Sequence, residues 1–442
     1  MNYRYRNDDE MKDSGVEWIG KIPKEWNVTK LKNLATIVTG NTPSKNDEKN
    51  YENGIVQWIK PDNITDDFKI TESKDRLSIY GLKQARLIPK NSALVCCIGT
   101  VGKVGISEVE CTTNQQINSV VFDNKNWVNG FGIYALISSR NEHERNSSKV
   151  VVSILNKSQQ GNINMPVPKS EEQQKISKFL DEKTAQFDSI ISKKEALIEK
   201  LEEAKKSLIS EVVTGKVRVV KTDDGYELVE RKKEEMKDSG VEWLGDIPKE
   251  WDIKRLKYLF EIKKDIAGKL GYDVLSVTQS GIKIKDITKN EGQLSMDYSK
   301  YQLVEISDFI MNHMDLLTGF VDCSKFNGVT SPDYRVFKLK NNNNCKEYYN
   351  FIFQSCYYNK IFYGLAQGVS GMGRWRLQTD KFLNFVLPLP SINEQRIIAE
   401  IVEKKVDEFK KLKDRLESNI EKLKEAKQSL ISEAVTGKIE IL

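Results

Sequence analysis

Sixteen residues of this chain return almost unchanged 225 positions downstream. Met11–Trp26 reads MKDSGVEWIGKIPKEW and Met236–Trp251 reads MKDSGVEWLGDIPKEW, identical at 14 of 16 positions. A second pair, Ala204–Lys216 (AKKSLISEVVTGK) and Ala426–Lys438 (AKQSLISEAVTGK), matches at 11 of 13 with an offset of 222. Between these pieces the two halves have little in common. A period this long excludes a solenoid, whose repeats run to roughly 20–50 residues, and predicts two tandem domains of one design. A kept frame with a rewritten middle suits a molecule that reads two different things through one scaffold.

Composition narrows the class. A chain of 442 residues holds two or more cores of ordinary size. At 39% hydrophobic and 30% charged residues, it is expected to be soluble with long exposed helices. No run approaches the ~18 apolar residues of a membrane span, and MNYRYRNDDE carries no apolar signal core. Six cysteines (96, 97, 111, 323, 345 and 356) form no Cys-x-x-Cys, and there are only two histidines, His143 and His313. That argues against a zinc site and for a reducing cytoplasm. Cys96 and Cys97, in ALVCCIG, read as buried strand residues. The net charge of +5 is a weak nucleic-acid signal on its own. Basic residues set beside aromatics, Arg374-Trp375-Arg376 and Tyr334-Arg335, leave room for a locally basic face.

Each half has the same order: a head with two tryptophans (Trp18 and Trp26, or Trp243 and Trp251), a variable body, a Pro-x-Pro stop, a long helix and a glycine. The boundaries fall at 1–168 (first domain), 169–216 (first long helix), 217–235 (charged linker), 236–390 (second domain) and 391–442 (second long helix). The bodies read as mixed α/β. GIVQWIKP, SALVCCIG, NSVVFD, DFIMN and YRVFKL suggest strands. FGIYALISSR and EYYNFIFQSCYYNKIFYG suggest short amphipathic helices. The tryptophans read as frame packing because both copies keep them.

Pro166-Val167-Pro168 and Pro388-Leu389-Pro390 exclude helix just before each long segment. Ser170 with Gln173, and Ser391 with Glu394, fit capping boxes. Gly215 and Gly437 sit where a left-handed residue ends a helix. Each helix then runs about 45 residues, roughly 65–70 Å. Heptad-like positions are Phe187, Ile190, Lys194, Leu197, Leu201, Ala204 and Leu208, matched by Phe409, Leu412, Leu416, Asn419, Leu423, Ala426 and Leu430. A seam this narrow on so charged a helix needs a partner. The linker is too short for a parallel pairing, so the spacing predicts an antiparallel coiled coil, with Lys194 and Asn419 setting its register.

The head, the Pro-x-Pro-Ser-x-x-Glu/Gln entry, the coil and the Val-Thr-Gly-Lys end together resemble the specificity subunit of type I restriction-modification systems, in both copies and over essentially the whole chain. Glu171-Glu172-Gln173-Gln174 and Asn393-Glu394-Gln395-Arg396 stand where that family has its helix start. GTVGKVG (Gly99 to Gly105) with Thr113–Gln116, and DLLTGFVDCSKFNGVTSPDYRVF in the second half, resemble its bodies. The resemblance implies two mixed α/β target recognition domains joined by two long helices in an antiparallel coiled coil. Each domain would read one half of a split site in double-stranded DNA. The coil would act as spacer and as dock for two copies of a DNA adenine methyltransferase subunit and two restriction/translocase subunits. This chain would then be non-catalytic and hold no cofactor, S-adenosylmethionine, ATP and Mg²⁺ being bound by the partners. The runner-up expectation is a coiled-coil scaffold joining two protein-binding domains. One departure stands out: Gly161 to Pro168 takes seven residues while Gly373 to Pro390 takes seventeen, so the first copy reads as trimmed.

GTVGKVG lacks the spacing of a nucleotide-binding loop. It reads either as a plain turn between strands or as a turn against a DNA backbone, with Lys103 on a phosphate. Ser331-Pro332-Asp333-Tyr334 faintly resembles an amino-methyltransferase motif but lacks the second proline and any preceding cofactor loop. Asn114, Gln115, Gln160 and Asn162 are amides able to bond adenine N6 and N7, or to cap turns; Gln115 and Gln160 are favoured as readers. In the second body Lys325, Arg335, Arg374 and Arg376 are the candidates. Two arginines flanking Trp375 after a glycine-rich stretch favour DNA contact over a solvated loop.

Overall fold

The computed structural model describes residues 2–124, 127–149, 151–223, 225–286, 297–366 and 376–442. It divides into two compact units, Met1–Lys194 with Glu417–Leu442, and Glu195–Leu416. The boundaries fall inside the two long helices, Ser170–Val213 and Ile392–Val435. Each unit therefore holds one body and one end of both helices.

The first body is built on a four-stranded antiparallel sheet in the order Ala35–Thr39, Ile117–Phe122, Ala93–Cys96, Val104–Ile106. The second has Phe260–Lys263, Arg335–Leu339, Phe309–Met311, Val321–Cys323 in the same order. Two dissimilar sequences thus make one topology. Alternation along the central strands explains their double burial. Ala93 and Val95 face the main core with Phe131 and Leu136, while Leu94 and Cys96 face a smaller cluster around Ile59 and Ile88. Phe309 and Met311 face the main core of the second body and Ile310 its smaller cluster. Cys96 and Cys97 are buried, as expected. The helices over the sheets span Asn129–Ser138 and Lys346–Tyr358. The latter ends at Tyr358, and Lys360, whose φ of 56° is left-handed, leads into a short turn at Ile361–Gly364.

The heads repeat their strand pairing and their ties to the helix starts. Lys21–Pro23 pairs with Met11–Asp13, and Asp246–Pro248 with Met236–Asp238. Trp26 and Trp251 are each 1% exposed. Their indole N–H groups donate to Glu172 at 2.8 Å and Glu394 at 2.9 Å. The second oxygen of each carboxylate accepts from Arg6 at 2.7 Å and from Arg231 at 3.1 Å. The next residue serves the body: Gln173 Oε1 accepts the Val128 N–H at 2.7 Å, and Gln395 Oε1 accepts the Cys345 N–H at 3.0 Å. In the second copy the capping box is therefore only half made. Ser391 Oγ does accept the Glu394 N–H at 3.3 Å. The Glu394 carboxylate and the Gln173 amide, however, turn away to tie head and body to the helix start.

Gly215 and Gly437 end the long helices with φ of +78° and +72°. A Cβ at Gly215 would collide with Pro248 and crowd Trp251, and one at Gly437 would meet Pro23 and Trp26 in the same way. Each helix thus ends against the head of the other copy. The linker contains two paired strands, Val217–Thr222 with Gly225–Glu230, and the chain ends pair likewise, Tyr3–Tyr5 with Ile439–Ile441. The registers correspond: Val219 faces Leu228 and Val217 faces Glu230, as Ile441 faces Tyr3 and Ile439 faces Tyr5.

The long helices run antiparallel within each unit. In the first, Ile176, Phe179 and Leu180 share a core with Ile431, Ala434 and Val435, and Lys427 donates to Asp188 at 2.7 Å. In the second, Ile209, Val212 and Val213 share a core with Ile398, Ala399 and Val402, and Lys413 donates to Glu202 at 3.2 Å. The expected seam needs a correction at alternate positions. Phe187, Lys194, Leu201, Phe409, Leu416 and Leu423 lie on it. Ile191 and Ile420, at 9% and 5% exposure, replace Ile190 and Asn419. Ile190, Leu197 and Leu412 are 44%, 49% and 47% exposed. From Phe187 the burial steps by four and then three, not three and then four. Both fit a 3.5-residue period. Asn419 is exposed and sets no register; buried Lys427 occupies a seam position and pairs with Asp188.

Candidate nucleic-acid interface

One end of each central sheet gathers three segments. In the first body these are the strand end Cys97–Gly99, the turn Thr113–Gln116 and the segment Ser148–Leu155. Cys97 N–H donates to Gln116 O at 2.8 Å, Leu155 N–H donates to Cys97 O at 2.8 Å, and Gly99 N–H donates to Ser153 O at 3.0 Å. In the second body Leu377 N–H donates to His313 O at 3.0 Å, and the turn Ser331–Tyr334 stands where Asn114–Ile117 stands in the first. The two turns share a local bond, Gln116 N–H to Asn114 Oδ1 at 3.1 Å and Asp333 N–H to Ser331 Oγ at 3.2 Å.

This correspondence also corrects the expectation that the first copy is trimmed. The short helix Lys157–Gly161 matches Thr379–Asn384. Each is followed by the same contact, Leu31 N–H to Ile163 O at 2.9 Å and Leu256 N–H to Phe385 O at 2.8 Å. Gly373 is therefore not the counterpart of Gly161, since in sequence it precedes that second helix whereas Gly161 ends the first.

The candidate residues divide by exposure. Gln115 is exposed at the sheet end; its Oε1 accepts from Thr42. Lys103 lies at the same end, half-buried, with Nζ 3.3 Å from Asp66. Asn114 is buried, its amide donating to Gln116 at 2.8 Å. Gln160 is wholly buried, 3.4 Å from Nε2 of His143, whose Nδ1 lies 2.9 Å from Ser139 O. Nδ1–H therefore donates to Ser139, and Nε2 accepts from Gln160. Burial pulls the His143 pKa down to about 4. Asn162 is exposed and accepts from Lys32 at 3.1 Å, a contact the second copy repeats between Lys257 and Asn384 at 3.1 Å. Among the glycines of GTVGKVG, Gly102 (φ +79°) rests on Arg140 and His143, whereas Gly99 (φ +78°) faces open space.

In the second body Arg376 is exposed at the sheet end, and Arg374 lies outside the described residues. Arg335 is inside, at 5% exposure. Its Nη2 donates to Leu377 O at 3.0 Å, the guanidinium stacks 4.5 Å over Phe382, and Nη1 has no partner. Burial lowers its pKa to about 10. Asn118 holds the matching position in the first body, donating to Leu155 O at 3.3 Å. Burial, together with Arg335 and Arg376, lowers His313 to about 3. Lys325 is exposed at the opposite end of the sheet, beside Ser324, whose N–H donates to Asp308 O at 2.7 Å. The structure thus brings Lys103, Gln115 and Arg376 to the gathered ends. It puts Asn114, Gln160 and Arg335 beneath them as supports, and Lys325 away from them.

The sequence reading passed over the hairpin Ser148–Lys149 with Ser153–Ile154, at the gathered end of the first body. Its side chains Val151, Val152 and Ile154 are 94%, 48% and 45% exposed. Counting back from Leu155 and Leu377, Val152 and Ile154 align in sequence with Arg374 and Arg376. That offset was the signal that could have found it.

Among the described residues, no helix is long and apolar enough to cross a membrane. The chain matches the family described as "Type I restriction modification DNA specificity domain" twice, over residues 23–203 and 248–422. It is 23% identical over 450 residues to the type I restriction enzyme MjaVIII specificity subunit of Methanocaldococcus jannaschii, covering 95% of this chain and 94% of the relative. The MjaIX specificity subunit of the same organism is 27% identical over 267 residues, a match spanning 59% of this chain and 56% of that relative. A solved structure reported for complex assembly and conformational transition of the type I R-M system shares the fold, with a TM-score of 0.64, 12% identity, and coverage of 94% of this chain and 99% of that one. Repeated frame, paired bodies and family match agree: this chain belongs to the type I restriction-modification specificity subunits.

Proposed function

We propose that this chain is the DNA sequence-recognition subunit of a type I restriction-modification complex. Each body reads one half of a bipartite site in double-stranded DNA through the gathered end of its sheet. One observation carries this reading: the copies keep their frame contacts, including Trp–Glu–Arg at the helix starts and Lys–Asn beneath the body, while the sheet ends carry unlike side chains. A module that keeps its frame and topology while its sheet ends differ has the form of a reader with exchangeable specificity. The paired helices set the distance between half-sites and dock two methyltransferase subunits, and through them restriction subunits. Exposed Ile190, Leu197 and Leu412 offer apolar purchase on the helices. S-adenosylmethionine, ATP and Mg²⁺ belong to those partners, and this chain performs no catalysis.

The test is reconstitution with its methyltransferase subunits, followed by mapping of methylated adenines on genomic DNA. The expected result is one split motif with two unlike halves, bound with an affinity that falls steeply with salt as counterions are released. Binding without salt dependence, or methylation without a split motif, would favour a scaffold joining protein-binding domains.

A further inference from the structure

We propose that the Ser148–Ile154 hairpin enters the major groove of the first half-site and reads a thymine through its 5-methyl group, with Val151 and Val152 as the contacting side chains. The inference rests on the DNA-reading role proposed above and assigns it residues and a base.

Shape is the first argument. The major groove admits a two-stranded β-ribbon, and this hairpin is one, with Ser148 paired to Ile154 and Lys149 to Ser153. Its base is fixed: Ile98 bridges Ile154, Gly99 N–H donates to Ser153 O at 3.0 Å, and Gln159 donates to Ser148 Oγ at 3.3 Å. These contacts anchor Ser148, Ser153 and Ile154 to the end of the sheet, next to the exposed Val151 and Val152.

Chemistry is the second. A valine 94% exposed there gains nothing from the fold. In the groove only thymine offers an apolar group at the base edge. The rim suits a polyanion. Lys149 and Lys157 are exposed, and neither has a carboxylate partner among the described residues. The carboxylates of the neighbouring helix are engaged, Glu144 by Arg140 at 3.5 Å and Glu142 by Arg145 at 3.9 Å.

The third argument is position. At the 222-residue offset of the frame, Val152, Ser153 and Ile154 align in sequence with Arg374-Trp375-Arg376. Arginine reads guanine, and valine packs on the thymine methyl. One frame position with guanidinium in one copy and isopropyl in the other is what two different half-sites require.

The experiment uses the full chain with its methyltransferase subunits and duplexes carrying the mapped site. Each thymine of the first half-site is replaced in turn by deoxyuridine, which lacks only the methyl group. One such exchange should weaken binding about three- to fivefold, the effect of one buried carbon, and exchanges in the second half-site should be unrelated to the hairpin. The Val151→Ser/Val152→Ser double variant, at exposed positions and so expected to melt like the parent, should bind the normal site about tenfold more weakly and lose its sensitivity to that exchange. A parent indifferent to every exchange in the first half-site, or a variant as sensitive as the parent, overturns the inference while leaving DNA recognition intact. A complex that binds no duplex in a salt-dependent way overturns the underlying reading itself.

Discussion

Two buried histidines make acid the weak side of this fold. His143 is fully enclosed and held neutral between Ser139 and Gln160, with its pKa lowered to about 4, and His313 is lowered to about 3. In the unfolded chain both titrate near ~6.5. Between these values the unfolded chain binds protons that the native state refuses, so their contribution is complete above about pH 6.5 and falls as pH drops toward 4. Each should cost roughly 2 kcal/mol between pH 7 and 5. Denaturant titrations at the two pH values should show the loss, with His143→Asn removing the share of the first unit. An unchanged pH slope in both His143→Asn and His313→Asn would refute this. The same residues show where sequence reading stopped. Gln160 and Gln115 are the same amide to a sequence, but one is wholly buried beside His143 and the other exposed at the sheet end. Burial depends on how distant segments pack, and no local pattern near residue 160 announces it.

The long helices were legible almost to the residue, because proline stops, glycine ends and a heptad period are local signals. The glycines adopt the expected left-handed φ, and the helices begin at Ser170 and Ile392. The seam was legible only in part. Ile190 stands beside Ile191 and Leu197 beside Ile198, so hydrophobicity alone could not choose between them. Burial chose Ile191, at 9% exposure against 44% for Ile190. Ile191→Ala should therefore destabilise by about 2–3 kcal/mol, the lower part of the range for truncating a buried aliphatic side chain. Ile190→Ala should cost less than about 1 kcal/mol. Thermal melts of the two variants decide it, and equal losses would place the seam elsewhere. The hairpin of the first body was missed for a related reason: KVVVSI has no glycine, proline, asparagine or aspartate to mark a turn, and only the frame offset aligns it with the arginines of the second copy.

Taken as a whole, the repeat foretold two copies of one design, and the structure adds how the chain closes on itself. The terminal strands pair in the register of the central hairpin, and Leu442 N–H donates to Asn2 O at 3.0 Å. Joining the ends through about six residues, to mirror Lys221–Tyr226, and opening the turn between Thr222 and Gly225 should give a permuted chain with the same fold. Its Tm should lie within about 4 °C of the parent, the shift that ~1 kcal/mol makes in a domain of this size. Circular dichroism melts test this, and a permuted chain that fails to fold would show that the terminal pairing cannot substitute for the hairpin.

The helix ends have a further consequence. Because Gly215 seats on Pro248 and Gly437 on Pro23, and because the first 222 residues contribute to both compact units, a protease that cuts the central turn would not separate a first half from a second. The two pieces would stay clasped, each holding the tail of the other. A gene split at that point would encode two polypeptides made to fold together, and loss of either would leave the survivor with one helix end and one head parted from the piece that covers them.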